Sequence, residues 1–492
     1  MVTSHSLEMP VSEPPLAQAD FAPGIEKVFA VCPSEDAYII EDIEGRVPPH
    51  ILGSYYLNGP TAFYVNDLHR RHWLDGDGMV CRLHFCEDYV HFANRFVRTD
   101  KFKTEQAVGR PVFRSFGTAF PDDRLKRGMV LESPANVSVY PFHGRLLAFG
   151  EQALPWDLNP DTLETVGPYN FGGALTEVSP FAAHPKFDPN TGEMFNFGTF
   201  FSHVNPKLCL YCFDAAGTLR RRASYPMEHA CSIHDFGLSR AYLIFYVSPY
   251  LLDLEAMVRN NQSLMDSLEW KPDLGSRLLV FSRNNGELVA SISLGGRYCL
   301  HLINCFNDQQ RGLVVDVIEF ERPIYDQYQP LPELFTDVPW GGPVRLTLDL
   351  AKRELVSRQE LGYRLAPDFP TVDPRVSTRS YNEFWMLGLS KTGQRGRKFF
   401  DELVHACWDE PEPTDVFRAR PGNFLGGEPI FVGGPNSVEA AVICQNFDVE
   451  NEQTSFLIFN ARDVRSGPVA TLRLRKPIHL GFHAAFQRHG ER

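Results

Sequence analysis

The histidines carry most of this chain's capacity for chemistry, and His234 in "CSIHDFGLSR" (231–240) frames the question they raise. It stands between an apolar residue and an acid, just ahead of the strand-like run "AYLIFYV". A single histidine in that place is ordinarily a core residue with both ring nitrogens satisfied. Neutral imidazole is also the commonest metal ligand, but one ring by itself holds nothing. Metal chemistry at His234 therefore needs partners from elsewhere. Of the sixteen histidines, His5, His50, His69, His143, His203, His405 and His489 keep polar company and read as surface or loop residues. His184 in "FAAHPKFDP", His301 in "YCLHLINCF" and His483 in "LGFHAAF" share the setting of His234, with apolar or small neighbours at a strand-like end. Spacing does not select them, because four can always be chosen from sixteen.

The elements that must position them are β-strands. Short alternating segments recur ("RLLAFGE", "LCLYCFD", "RLLVFSR", "GLVVDVIEF", "VRLTLDL", "AAVICQNFD", "SFLIFNA"), separated by turn clusters such as "DAAGT", "RNNGE", "DPNTG" and "GGPNS". Many pair as hairpins with an apolar first strand and a more polar second, as in "YCFDAAGTLRRRASY" and "LLVFSRNNGELVASISL". Hairpins of similar length repeated over most of a long chain are the pattern of propeller blades. A propeller has an axial channel into which residues from distant blades converge, which is the geometry His234 requires. Helix is expected only at 22–32, 249–267 and 398–407. The predicted class is all-β, a β-propeller with loops and short helices capping one face. Residues 1–35 are expected to be a flexible leader and the start of the cap, 36–486 one propeller domain, and 487–492 a tail.

Composition narrows the function. A net charge of −13 over 492 residues argues against nucleic acid and against purely electrostatic attachment to anionic lipid. No run reaches the ~18 apolar residues of a membrane helix, and the first residues lack a secretory pattern, so a cytoplasmic location is expected. The ten cysteines are scattered, mostly in apolar settings, as reduced core residues are. Cys209 and Cys212 form the one CxxC, but three apart on a strand they point to opposite faces. Two further motifs are set aside. His479 and His483 have the four-residue spacing of helical zinc ligands, but Pro477 and Gly481 flank them and the zincin glutamate is lacking. "DGDGMV" (75–80) lacks the later acids of a calcium loop and reads as a tight turn on Gly76 and Gly78.

In chain order, the four histidine motifs resemble those of the carotenoid cleavage oxygenase family. So do "LNGPTAFY", "HWLDGDGMV", "RFVRTDKFKTEQ", "NPDTLETVG" and "GGEPIFV", and the resemblance covers roughly residues 36–486. It implies a seven-bladed propeller holding one non-haem Fe(II) on His184, His234, His301 and His483. Four neutral imidazoles leave iron its full charge and open positions for dioxygen and substrate. The family's outer carboxylates match Glu151 in "FGEQALP", Asp368 in "PDFPTVDP" and Glu428 in "GEPIFV". Such acids fix the second ring nitrogen of a ligating histidine, and beside "LLAFG" or "PIFV" an unpaired buried carboxylate would be costly. Three departures stand out. Asp368 replaces the family's glutamate, Ala484 replaces the glycine after the last histidine, and Leu302 replaces a second histidine after His301.

The resemblance also implies the reaction, which is cleavage of a conjugated carbon–carbon double bond with O2 to give two carbonyl products. Stilbene-cleaving members resemble one another in a lysine just before the outer glutamate and a tyrosine upstream, which bind the phenol. Here those positions are Gly150 and Phe116, so a carotenoid or apocarotenoid is the expected substrate and a stilbene the alternative. Val137 in "PANVSVY" matches a position near the open side of the iron. The partners expected are a lipophilic small molecule and O2, with peripheral membrane contact through the apolar segment 247–258. The rival of another class is a non-enzymatic propeller scaffold, which has no reason to keep four such imidazoles and their acids.

Overall fold

The computed structural model describes residues 24–65, 68–127, 130–324, 330–335, 338–390, 399–434 and 439–490. Seven antiparallel sheets of four or five strands form the blades of a propeller, accompanied among the described residues by two two-stranded ribbons. Blade two is typical: Ser138–Phe142, Arg145–Phe149, Trp156–Leu158 and Thr165–Pro168 pair in sequence order. Blades three to six begin with Lys186–Phe187, Gly237–Leu238, Tyr298–Asp308 and Asp368–Thr371, and blade seven with Asn423–Gly433. The first strands of blades four to seven touch one another in turn and so face the axis.

The ring closes twice. Ala484–Arg488, at the C-terminal end, adds to Gly53–Thr61 of blade one with Leu57 opposite Ala484. Ile43–Gly45, near the N-terminal end, adds to Pro468–Arg473 of blade seven with Ile43 opposite Leu472. Both ends of the propeller are thereby tied by main-chain hydrogen bonds, and both seams contribute to one apolar cluster containing Leu57, Ile430, Leu472 and Ala484. The expected contrast of inner and outer strands is present. Lys207–Phe213 is almost wholly buried, whereas Leu219–Pro226 alternates between half-buried and exposed. Cys209 and Cys212 face different clusters from the same strand, and all ten cysteines are free thiols.

The helices depart in part from expectation. Ile25–Ala30 forms inside 22–32 and buries Ile25, Val28 and Phe29, so this part of the 1–35 segment is packed cap. Phe29 stands edge-on to Phe63 and Trp73. Residues 1–23 lie outside the described residues, as do 398 and 491–492. Within 249–267 only Leu254–Arg259 is α-helix, capped by the Asp253 carboxylate. The helix expected at 398–407 is replaced by the strand Glu402–Cys407, a middle strand of blade six. Neighbouring blades cover both faces of such a strand, so its apolar run carries no period to separate it from a buried helix. Asp100–Val108 is a further helix, marked by Thr99 as N-cap and by Gly109 at φ 68 after its end. The expected turn at 75–80 is also different. Gly76 is extended and Gly78 lies in Asp77–Phe85, where a Cβ would sit 2.3 Å from the Ala135 carbonyl oxygen. The glycine there serves a close backbone approach.

That second helix is anchored by a buried charge network. Lys101 Nζ bridges Asp77 at 2.6 Å and Glu105 at 2.8 Å, and Arg70 reaches Glu105 at 3.1 Å. Removing one member of a buried network strands the others' charges. Lys101→Met should therefore destabilise the fold by about 3–5 kcal/mol, seen as a lower denaturant midpoint. An unchanged midpoint would mean that Arg70 alone satisfies both acids.

Candidate metal centre

Four blades deliver one histidine each to the axis. His184, His234 and His483 stand just before the first strands Lys186–Phe187 and Gly237–Leu238 and the closing strand Ala484–Arg488, and His301 lies within Tyr298–Asp308. Their nearest ring nitrogens all lie within 4.8 Å of one another. Nε2 of His184 is 2.9 Å from Nε2 of His234, which is 3.2 Å from Nε2 of His301. Main-chain bonds fix the fourth ligand. The His483 amide donates to the Val137 carbonyl and the His483 carbonyl accepts from the Asn58 amide.

The other three blades deliver the acids. Glu151 follows Arg145–Phe149 of blade two, Asp368 opens blade six, and Glu428 lies in Asn423–Gly433 of blade seven. Glu151 Oε1 is 2.7 Å from His234 Nδ1, Asp368 Oδ1 is 2.6 Å from His301 Nδ1, and Glu428 Oε2 is 3.4 Å from His483 Nδ1. The shorter Asp368 thus reaches its imidazole, and the partner it serves is His301. Ala484 is buried in the closing strand, with its amide pointing at Glu428 Oε2. Among the described residues no carboxylate pairs with His184.

Each carboxylate holds a proton on Nδ1, which leaves the Nε2 lone pair free and directed inward. Lone pairs converging at hydrogen-bonding distance repel, and protonating the rings instead is resisted by burial. Burial, reinforced by the three neighbouring imidazoles, pushes the His184 pKa well below the usual histidine value. Burial also lowers that of His301 despite Asp368. At His234 burial is outweighed by the Glu151 charge and hydrogen bond together with the charges of Asp235 and Asp368, and the value is raised. One cation shared by four lone pairs resolves the arrangement, and four imidazoles suit a late first-row divalent metal. The residues fit a metal.

Beside the centre lies a cavity. Its walls include Trp73, Leu74, Val137, Leu300, Ile324 and the phenylalanines 335, 369, 400 and 482, while His72, His234, His301, His483 and Asp368 supply the polar atoms. Val137 therefore has two roles, lining the cavity and holding His483 by its carbonyl. Phe116 stands one layer out, its ring 4.7 Å from that of His72. Gly150 is not among the lining residues. A Cβ there would meet Ser133 Oγ at 2.2 Å and the Ala135 amide nitrogen at 3.2 Å. Within the segment 247–258, Tyr250, Leu252, Ala256 and Met257 are buried, Leu251 and Leu254 are half-buried and Val258 is exposed. Phe369 and Phe482 could have been found in the sequence, as each adjoins a site residue (Asp368 and His483). Ile324, Phe335 and Phe400 carry no such signal.

Comparison with known proteins agrees with this geometry. The family model described as "Retinal pigment epithelial membrane protein" matches residues 29–488. The chain is 28% identical to the apocarotenoid-15,15'-oxygenase of Synechocystis, over 92% of this chain and 94% of that protein. It is 32% identical to lignostilbene-alpha,beta-dioxygenase isozyme III of Sphingomonas paucimobilis, over 90% and 92%. With isoeugenol monooxygenase of Pseudomonas nitroreducens the identity is 26%, over 90% and 94%. A solved variant of the Synechocystis apocarotenoid oxygenase superposes with a TM-score of 0.87 at 26% identity, covering 96% of this chain and 100% of that one. The same enzyme has been solved in cobalt-substituted form, with a TM-score of 0.84 at 26% identity over 94% and 98%. The chain is an oxygenase that belongs to the retinal pigment epithelial membrane protein family, the carotenoid oxygenases that its histidine motifs resemble.

Proposed function

We propose that this protein is a non-haem Fe(II) dioxygenase that cleaves a conjugated carbon–carbon double bond of a carotenoid or apocarotenoid. The observation that carries the substrate reading is the cavity wall. Apart from the histidines, Asp368 and the Trp73 indole N–H it is aromatic and aliphatic, which suits a flat, lipophilic polyene. Iron held by His184, His234, His301 and His483 would supply the activation of dioxygen. The chain's own residues do the rest. Glu151, Asp368 and Glu428 keep a proton on each Nδ1 and so aim the ring nitrogens. Trp73, Phe335, Phe369, Phe400 and Phe482 exclude water and orient the polyene. No general acid or base is needed, because adding O2 across a C=C bond and breaking it into two C=O groups moves no net proton. That balance agrees with a cavity whose ionisable groups are all engaged at the metal centre or in its wall.

The relative named as a lignostilbene dioxygenase favours a second reading, a stilbene substrate. The positions expected to clamp a phenol do not serve it, since Phe116 is a hydrocarbon ring behind His72 and Gly150 faces Ser133. Incubating the iron-loaded protein with carotenoids, apocarotenals and hydroxystilbenes under 18O2 separates the two. We expect two carbonyl products from a polyene, each carrying label, and little from 4-hydroxystilbene. Faster cleavage of a hydroxystilbene than of any polyene would overturn the substrate assignment and leave the metal centre standing. Gly150→Lys should not create phenol specificity, because its Cβ has no room without displacing Ser133.

A further inference from the structure

His184 has no carboxylate partner among the described residues, yet it stands as close to the centre as the others. The adjoining acid Asp235 explains how. Its side chain is buried and makes three bonds. Oδ1 accepts from Lys186 Nζ at 2.8 Å and from the Phe236 amide at 2.8 Å, and Oδ2 accepts from the Leu302 amide at 2.9 Å. Lys186 lies two residues after His184 with Pro185 between them, Asp235 directly follows His234, and Leu302 directly follows His301. One carboxylate thus ties together the main chain beside three of the histidines, in blades three, four and five. The blades meet closely there. A Cβ on Gly237 would lie 2.2 Å from Cys305 Sγ.

We propose that Asp235, acting with Lys186, is a positioning residue that sets the spacing of His184, His234 and His301 through their main chains. It takes the place, for His184, of the ring-directed carboxylates that orient the other three. The proposal rests on the four-histidine reading of the metal site. Proline at 185 restricts the backbone between ligand and lysine, so the ion pair is transmitted to the imidazole rather than lost in a flexible link. An asparagine at 235 would put an amide N–H against one of three donors, and at least one tie would break.

The test uses full-length apo-protein titrated with Co²⁺. Affinity is read by chelator competition, ligand geometry by the visible spectrum of bound cobalt, and fold integrity by the melting midpoint of the apo-protein. Asp235→Asn should weaken cobalt binding by about 10–100-fold, the scale for groups that orient ligands from outside the coordination sphere, and should alter the spectrum. Lys186→Met should act in the same direction, Lys186→Arg should restore affinity, and the double change Asp235→Asn with Lys186→Met should be no weaker than the worse single, as for two members of one unit. Lys186 is partly exposed, so its variants carry the test if Asp235→Asn does not fold. Wild-type affinity and spectrum in Asp235→Asn or Lys186→Met, even with a lowered melting midpoint, would show the pair to be merely structural and overturn the proposal. Failure of the wild type to take up cobalt would instead overturn the metal site itself.

Discussion

Replacing His234 by alanine should remove metal and turnover together. His234 lies between two other ligands, with its Nε2 2.9 Å from that of His184 and 3.2 Å from that of His301. Its loss takes one donor of four and leaves Glu151 facing a void. Outer carboxylates alone are worth about 10–100-fold in metal affinity, so loss of a ligand should exceed that range and bring metal content to background. His301→Ala should behave alike, leaving buried Asp368 without its imidazole. The apo-protein should keep its fold, because without metal the converging lone pairs contribute repulsion rather than stability. Metal analysis of each purified variant, alongside product formation from a polyene, checks this. Stoichiometric metal with retained turnover in either variant would sink the four-histidine centre.

The second large effect is expected at Asp368. Its Oδ1 stands 2.6 Å from His301 Nδ1 in a buried setting. Asp368→Asn keeps the shape but removes the charge, and should lower metal affinity by about 10–100-fold. The family's usual glutamate should not be a neutral replacement here. The strand Asp368–Thr371 begins with irregular pairing, and Phe369 adopts a positive φ of 51, which places the shorter side chain at the right reach. One more methylene at this point would press on His301, and overpacking of this kind costs about 1–3 kcal/mol. Asp368→Glu should therefore bind metal better than Asp368→Asn and less well than the wild type. Chelator competition across the three proteins decides. Equal affinities would reduce Asp368 to a satisfied core acid.

Much of this was legible in the chain because it is written in local terms. Alternating strands with turn clusters between them announce hairpins, and repetition announces blades, since each hairpin buries its apolar strand in the same way. The histidines and their acids were found in ordered motifs, and the structure brings all seven to one axis. Cys209 and Cys212 needed only the period of a strand to be placed on opposite faces. Where local pattern is mute, expectation and structure part. Glu402–Cys407 is apolar enough for a helix but sits in mid-sheet. In the apolar segment 247–258 nothing local separates the inward Tyr250, Leu252 and Met257 from the exposed Val258.

The sequence by itself determined which residue types are available for chemistry, that most of them sit near strand ends, and that the strands repeat. Three things were decided only by the tertiary structure. It chose the pairing of acid with imidazole (Asp368 with His301, Glu151 with His234, Glu428 with His483), because partners come from different blades and no spacing encodes which blade ends face each other. It chose the cavity wall, since Ile324, Phe335 and Phe400 converge from remote stretches that share no pattern. And it put Asp235 under three ligand-bearing strands at once, a role that depends on how closely three blades approach the axis and that no single strand can reveal.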